Sequence, residues 1–364
     1  MKKLTVKTAL DNYPVLIGVD VFNFLPQLIE ERNLPKRFFV IVDENVFKHF
    51  SSIINKNLNP FGTKISFIIL KASEKSKSLK TLQRLYTILS EKNFGRDTLI
   101  VAIGGGTLGD IAGFAASTYM RGVPLIHIPT TLLSCVDSSI GGKTAVNFKD
   151  AKNLIGTFYQ PEAVLIDLNF LETVPRKEII SGLGEVVKYS YLTNGDFYEE
   201  LLSKSNKLIK KDLDYLSRVI YECAKIKAAV ISKDEKEISG VRKILNFGHT
   251  FAHAFESNSS YKISHGKAVL AGIISAIYLS RKKELISDNQ LKRMVELPLK
   301  FKSFINLKDF DEKKLFNLMS YDKKRKDEKI KFVLIKNFGE ILVDLEAQRK
   351  EIHCALKKTR EVLI

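Results

Sequence analysis

The 364-residue chain lacks most of the features that would set it apart from ordinary folded proteins. It has only three cysteines, Cys135, Cys223 and Cys354. Their long, irregular spacing excludes a disulfide framework and a zinc-finger pattern, and suits a reducing compartment. No apolar run reaches the ~18 residues that a membrane span needs. Two lysines near the N-terminus resemble the start of a signal peptide, but the apolar residues then alternate. Asp11 and Asn12 also interrupt the stretch, which reads as a strand pair. Internal repeats and low-complexity linkers are absent too. Negative charge is scarce: 41 Asp and Glu stand against 58 Lys and Arg, for a formal net charge of +17. Such an excess concerns partners and solubility and says little about fold. Charge alone leaves nucleic acid, an anionic membrane surface and a polyanionic small molecule open. The lysines are spread over helix faces without clustered stacking aromatics, which argues against a nucleic-acid interface. With 45% apolar and 27% charged residues, the composition is that of a folded soluble protein, expected in the cytoplasm. Its length suits roughly two domains.

Two styles of sequence follow one another. Short β-branched runs recur up to about residue 170: Arg37–Val42, Lys64–Leu70, Thr98–Ile103, Leu125–Ile128 and Ala163–Leu168. Helical patterns such as Ser78–Lys92 separate them. This alternation predicts a parallel sheet covered on both faces. Beyond about residue 175 the apolar spacing is three and four, as in Tyr215–Ile231, apart from a late strand pair at Lys331–Ile335 and Ile341–Val343. The expected architecture is an α/β, Rossmann-like nucleotide-type domain over 1–172 and a mainly α-helical domain over 173–364.

Three signals suggest chemistry. Gly104, Gly106 and Gly109 form a GxGxxG directly after a predicted strand and open a helical pattern, where backbone N–H groups can approach a pyrophosphate. No acidic residue ends a strand some 20 residues later to hold a ribose, but Asp43 ends an earlier one. Three of the six histidines, His249, His253 and His265, lie close together. The i,i+4 pair His249 and His253 can hold a metal on one helix face, but spacing does not say which pair binds or which carboxylate joins it. Glu185 and Lys188 share a helix face at i,i+3 in a segment that is apolar and glycine-rich. An inward carboxylate there would need a metal or a cation to stay charged.

The blocks GGGTLGDIAGFAASTYMRGVPLIHIPTTLLSCVDSSIGGKTAVNF, AKNLIGTFYQP, GLGEVVKYS, RKILNFGHTFAHAFE, SHGKAV and YDKK together resemble the 3-dehydroquinate synthase family of sugar phosphate cyclases. The resemblance runs over essentially the whole chain. It implies a homodimeric lyase of the shikimate pathway with its active site between the two domains. By the resemblance, 1–172 is the NAD-binding domain and 173–364 the metal- and substrate-binding domain. The substrate implied is 3-deoxy-D-arabino-heptulosonate 7-phosphate, and the cofactors are NAD and one divalent metal, zinc or cobalt. By the resemblance, Glu185, His249 and His265 are the metal ligands. Lys143, Lys188, His253, Arg242, Asn246 and Asp137 are catalytic. Asn153, Lys227 and Lys323 bind substrate, and Arg121 reaches the phosphate site of the neighbouring subunit. Asp43, Asn45, Glu74, Lys77, Gly105, Gly106, Asp110, Thr130, Thr131, Lys143, Lys152 and Thr173 match NAD contacts.

Those residue types suit the implied chemistry. Lys and Arg match a substrate carrying carboxylate and phosphate. Two imidazoles and a carboxylate leave metal positions open for substrate hydroxyls. Three departures from the family pattern, Ala252, Lys267 and Cys135, replace none of these residues. Cys135 reads as a small buried hydrophobe. Competing readings are a cyclase for another sugar phosphate, or a metal-dependent polyol dehydrogenase that would release NADH stoichiometrically.

Overall fold

The computed structural model describes residues 1–364 apart from positions 10, 63, 150, 261, 306, 308, 309 and 322–329. Lys323 therefore lies outside the described residues. Along the chain come β1 (Lys2–Lys7), β2 (Asn12–Gly18), α1 (Leu25–Glu31), β3 (Arg37–Asp43), α2 (Glu44–Leu58), β4 (Ile65–Leu70) and α3 (Leu79–Glu91). Next are β5 (Thr98–Gly104), α4 (Gly106–Thr118), β6 (Leu125–Pro129), β7 (Lys143–Phe148), β8 (Ala151–Phe158) and β9 (Ala163–Asp167). The remainder comprises α5 (Arg176–Tyr191), α6 (Asp196–Ile209), α7 (Leu213–Ile231), α8 (His249–Asn258), α9 (His265–Lys282), α10 (Asp288–Leu299), α11 (Glu312–Tyr321), β10 (Lys331–Asn337), β11 (Glu340–Glu346) and α12 (Arg349–Leu363). Among the described residues no helix is long and apolar enough to cross a membrane.

Two compact units emerge. The first is Met1–Glu178 with Leu213–Lys236; the second is Ile179–Asp212 with Glu237–Ile364. This differs from a single division at 172/173, because α7 returns to the first unit. Its buried face, which includes Leu216, Val219, Ile220 and Ala224, belongs to a helix that packs on β1 and β2. Periodicity identifies α7 as a helix with an apolar face, but cannot say which layer that face covers.

The first unit is built on a seven-stranded sheet of order β1-β2-β9-β6-β5-β3-β4. Only β1 runs antiparallel to its neighbour; the other five pairings are parallel. Side chains alternate between two cores, as a strand buried on both faces requires. Phe38, Val40 and Val42 of β3 enter the layer that contains α1 and α2 residues. Phe39 and Ile41 enter the layer with α3 and α4 residues. From β3 the chain goes first to β4 on one side and then to β5 on the other. The strand order thus reverses between β3 and β5, and in parallel sheets ligands bind at the carboxyl ends beside such a reversal. Asp43 ends β3 and Gly104 ends β5.

The antiparallel hairpin β7–β8 has no counterpart in the sequence reading. Most of β8 is exposed, so it lacks the apolar alternation that marks a half-buried strand. The second unit is helical around the antiparallel pair β10–β11.

Candidate active site

In the second unit, α5 contributes Glu185, α8 begins with His249 and α9 begins with His265. Glu185 has no exposed surface. Its Oε1 lies 3.4 Å from His249 Nε2 and 3.2 Å from His265 Nε2. One ligand atom from each of the three residues falls within 4.8 Å of the others. The second carboxylate oxygen, Oε2, accepts from the Lys188 ammonium, which is itself buried. The i,i+3 pair is therefore an interior one, not a solvated surface bridge. Burial alone would raise the Glu185 carboxyl; Lys188 and the two imidazoles outweigh it and hold the group well below the ordinary range. Burial opposes charge on His265 as well, yet the hydrogen bond with Glu185 and the negative charge of Glu185 and Glu256 prevail, raising it to about 10. A buried carboxylate facing two imidazole Nε2 atoms is a donor set suited to a divalent cation with positions left for substrate.

Three backbone crossings bring these ligands together. A Cβ on Gly266, next to His265, would stand 1.9 Å from the Ser181 carbonyl oxygen of α5. One on Gly184, next to Glu185, would lie 2.3 Å from Gly266 O. One on Gly272 would lie 2.3 Å from the carbonyl oxygen of Gly248, the residue before His249. Helix axes can approach this closely only where side chains are missing. Each ligand thus sits beside a glycine at which two segments meet backbone to backbone.

The other expected residues of this unit are nearby in chain but differ in setting. Arg242 is buried, whereas Asn246 and His253 are exposed. The His253 ring makes an edge contact with His249, centroids 5.6 Å apart, and is outside the ligand cluster. The i,i+4 pair therefore contributes one residue, His249, to the cluster.

The first unit carries a separate polar constellation. Gly105 precedes α4 with no side-chain cap, so the N–H groups of that 13-residue helix's first turn point to a glycine-rich turn at the end of β5. A Cβ on Gly106 would stand 2.7 Å from Ser138 Oγ, so a side chain there would fill the turn. This uncapped, side-chain-free turn at the strand reversal fits a dinucleotide pyrophosphate. Thr130 N–H donates to Gly104 O at 3.0 Å, tying the loop after β6 to the turn, and within that loop Thr131 N–H donates to Ser134 Oγ at 3.1 Å. Asp43 is the N-cap of α2, its Oδ1 accepting from Asn45 N–H at 2.9 Å. Asn45 and Thr173 are exposed.

Lys77 is buried and donates to both Asp110 and Asn153. Asn153 N–H donates to Asn147 Oδ1 at 2.9 Å, and Asn147 Nδ2 donates to Glu74 Oε1 at 2.6 Å. Asn147, absent from the expected residues, thus joins Asn153 and Glu74, and its own N–H donates to Lys77 O at 2.9 Å. Its only sequence signal is its place in the GGKTAVNF block. Lys143 and Lys152 are exposed on this hairpin. Lys227 of α7 donates at 2.7 Å to both the side chain and the backbone carbonyl of Asp137. Arg121 is exposed and has a left-handed backbone, φ 69, directly after Met120 at φ 51. Cys135 is fully buried and burial pushes its thiol up, as an inert hydrophobe requires.

Burial raises Asp110 to about 6 against the opposing pull of Lys77. A carboxyl raised above its unfolded value favours the folded state below about pH 4, and that contribution disappears as pH rises through about 6. Replacing Lys77 with Met removes the main opposing charge. Asp110 is then expected to titrate above its wild-type position, and stability to fall more steeply between about pH 4 and 7. Aspartate carboxyl NMR through a pH series checks this; an unchanged or lower midpoint would contradict it.

Residues 67–181 match the family profile described as 3-dehydroquinate synthase N-terminal, and residues 182–325 match 3-dehydroquinate synthase C-terminal. The 3-dehydroquinate synthase of Pelagibacter ubique is 38% identical over 365 residues, with 98% of each chain covered. That of Aliivibrio fischeri is 40% identical, with 93% of this chain and 94% of the relative covered. Among solved structures, 2-deoxy-scyllo-inosose synthase complexed with carbaglucose-6-phosphate, NAD+ and Co2+ superposes with a TM-score of 0.88 at 25% identity, covering 98% of this chain and 100% of that one.

Proposed function

The chain belongs to the 3-dehydroquinate synthase family, and from that premise we propose that it converts 3-deoxy-D-arabino-heptulosonate 7-phosphate to 3-dehydroquinate and phosphate. The observation that carries this reading is the cluster of buried Glu185 with half-buried His249 and His265, backed by Lys188, in a chain with an uncapped glycine turn for a dinucleotide. Bound NAD and a divalent ion, zinc or cobalt, would supply reversible oxidation of the substrate's C5 hydroxyl, which acidifies the C6 proton and lets phosphate leave before the hydride returns.

The chain's own residues do the rest. Glu185, His249 and His265 hold the metal, and Lys188 keeps the carboxylate charged in the interior. Gly105, Gly106 and Thr131 receive the dinucleotide phosphates, while Asp43 and Glu74 bind farther along the dinucleotide. Arg242 and Asn246 hold the substrate carboxylate end, and Lys143, Asn153 and Lys227 its phosphate and hydroxyls. Lys227 also orients Asp137. His253 moves a proton without being a ligand, a role supported by its exposure and its ring contact with His249. We read the protein as a cytoplasmic homodimer in which Arg121 serves the phosphate site of the other copy. Two consecutive non-glycine residues in the left-handed region, each costing of order 1–3 kcal/mol, support a functional demand at Arg121.

Purified protein with NAD and Zn2+ or Co2+ is expected to release inorganic phosphate from the heptulosonate phosphate with no accumulation of NADH. A phosphate assay run alongside absorbance of the reduced nicotinamide distinguishes the readings. Stoichiometric NADH from a polyol without phosphate release would overturn the proposal. Phosphate release from a different sugar phosphate in preference would assign another cyclase activity.

A further inference from the structure

His249 and His265 turn the same ring atom, Nε2, toward Glu185 Oε1. A neutral imidazole that ligates through Nε2 must carry its proton on Nδ1, and that proton needs an acceptor to fix tautomer and ring angle. For His249 the acceptor is in the backbone: Nδ1 stands 3.3 Å from the Phe247 carbonyl oxygen. For His265 a side chain takes the corresponding place. Its Nδ1 faces Glu256 Oε1 at 3.6 Å. That is a few tenths of an ångström beyond an ordinary hydrogen bond and within ion-pair distance.

Glu256 is buried near the C-terminal end of α8, about two turns beyond His249. A carboxylate is costly to bury unless its position is used, and this one faces the ring nitrogen opposite the ligand cluster. We infer that Glu256 is a positioning residue: it accepts the Nδ1 proton of His265 and so holds the ring with Nε2 available to a divalent cation. The inference rests on the metal reading proposed above. It makes the two histidines equivalent by different means, a main-chain carbonyl for one and a buried carboxylate for the other. Helix α8 would then supply both a ligand at its start and the support for a ligand on α9.

The test compares wild type, Glu256→Ala and Glu256→Gln, all stripped of metal. Zinc affinity is measured by competition with a chromophoric chelator, the Co2+ visible spectrum reports ligand geometry, and melting of each metal-free protein reports folding. Glu256→Ala is expected to bind zinc about 10–100-fold more weakly and to shift the cobalt bands. Glu256→Gln, whose amide oxygen still accepts the proton, is expected to recover most of both. Glu256→Ala with wild-type zinc affinity and cobalt spectrum overturns the inference, whatever its melting temperature. So does Glu256→Gln with no recovery over the alanine variant. Wild-type protein that binds neither ion would overturn the metal reading itself, and this inference with it.

Discussion

Glu185→Ala is expected to lower turnover roughly a thousandfold or more and to destabilise the metal-free protein by about 3–5 kcal/mol. Two separate causes combine. Removing the carboxylate takes away one of the three proposed ligands, and Lewis-acid stabilisation worth about 4 kcal/mol corresponds to roughly a thousandfold in rate. Independently, the Lys188 ammonium is left in the interior without the carboxylate that accepts its proton. Breaking a buried pair from one side costs more than the pair contributes, because the remaining charge still lacks water. Lys188→Met in the same chain should therefore restore much of the stability lost by Glu185→Ala while restoring none of the metal. Urea unfolding of the two single variants and the double variant, with metal content after dialysis, measures both parts. A Glu185→Ala protein that keeps stoichiometric metal would contradict the ligand assignment. Equal stability of wild type and Glu185→Ala would contradict the buried-pair account.

Gly266→Ala is the second large effect. In an unobstructed helix this change would stabilise by about 1 kcal/mol, since alanine is the better helix former. Here the new Cβ would meet Ser181 O at 1.9 Å and Ser181 C at 2.5 Å, both backbone atoms of α5 that no rotamer change can move. The helices must separate, and overpacking of this kind costs roughly 1–3 kcal/mol or more, so the steric term wins. His265 is the neighbouring residue, and separating α9 from α5 carries it away from Glu185. Weaker zinc binding should therefore accompany the lost stability. Calorimetric melting and chelator competition on Gly266→Ala, with Ala268→Gly as a control for helix propensity on the same helix, separate the two causes. A variant more stable than wild type would show that the crossing is looser than 1.9 Å implies.

Much of the first unit was legible because its signals are local. Continuous β-branched runs mark strands buried on both faces, and all five early runs became members of one sheet. The GGGTLGD turn announced a strand end and a helix start, which is where β5 passes to α4. Hairpin β7–β8 escaped because an exposed strand has no apolar alternation to reveal it. The return of α7 escaped for a different reason: its amphipathic face is evident, but the partner of that face is encoded far away in the chain.

The metal cluster shows where the line falls. Residue types and the i,i+3 spacing of Glu185 and Lys188 determined that an inward carboxylate needed a cation, and the histidine density marked a site. Helical spacing put His249 and His253 on one face without saying which pair binds, and the family resemblance implied His249 with His265. The packing of α5, α8 and α9 is what puts His265 rather than His253 beside His249 and sets Glu185 between the two rings. Local sequence sets which face a side chain occupies, with energies of tenths of a kcal/mol for each neighbouring pair. Which faces then meet depends on glycine contacts such as Gly184 with Gly266, between residues distant in the chain, and no local period records them.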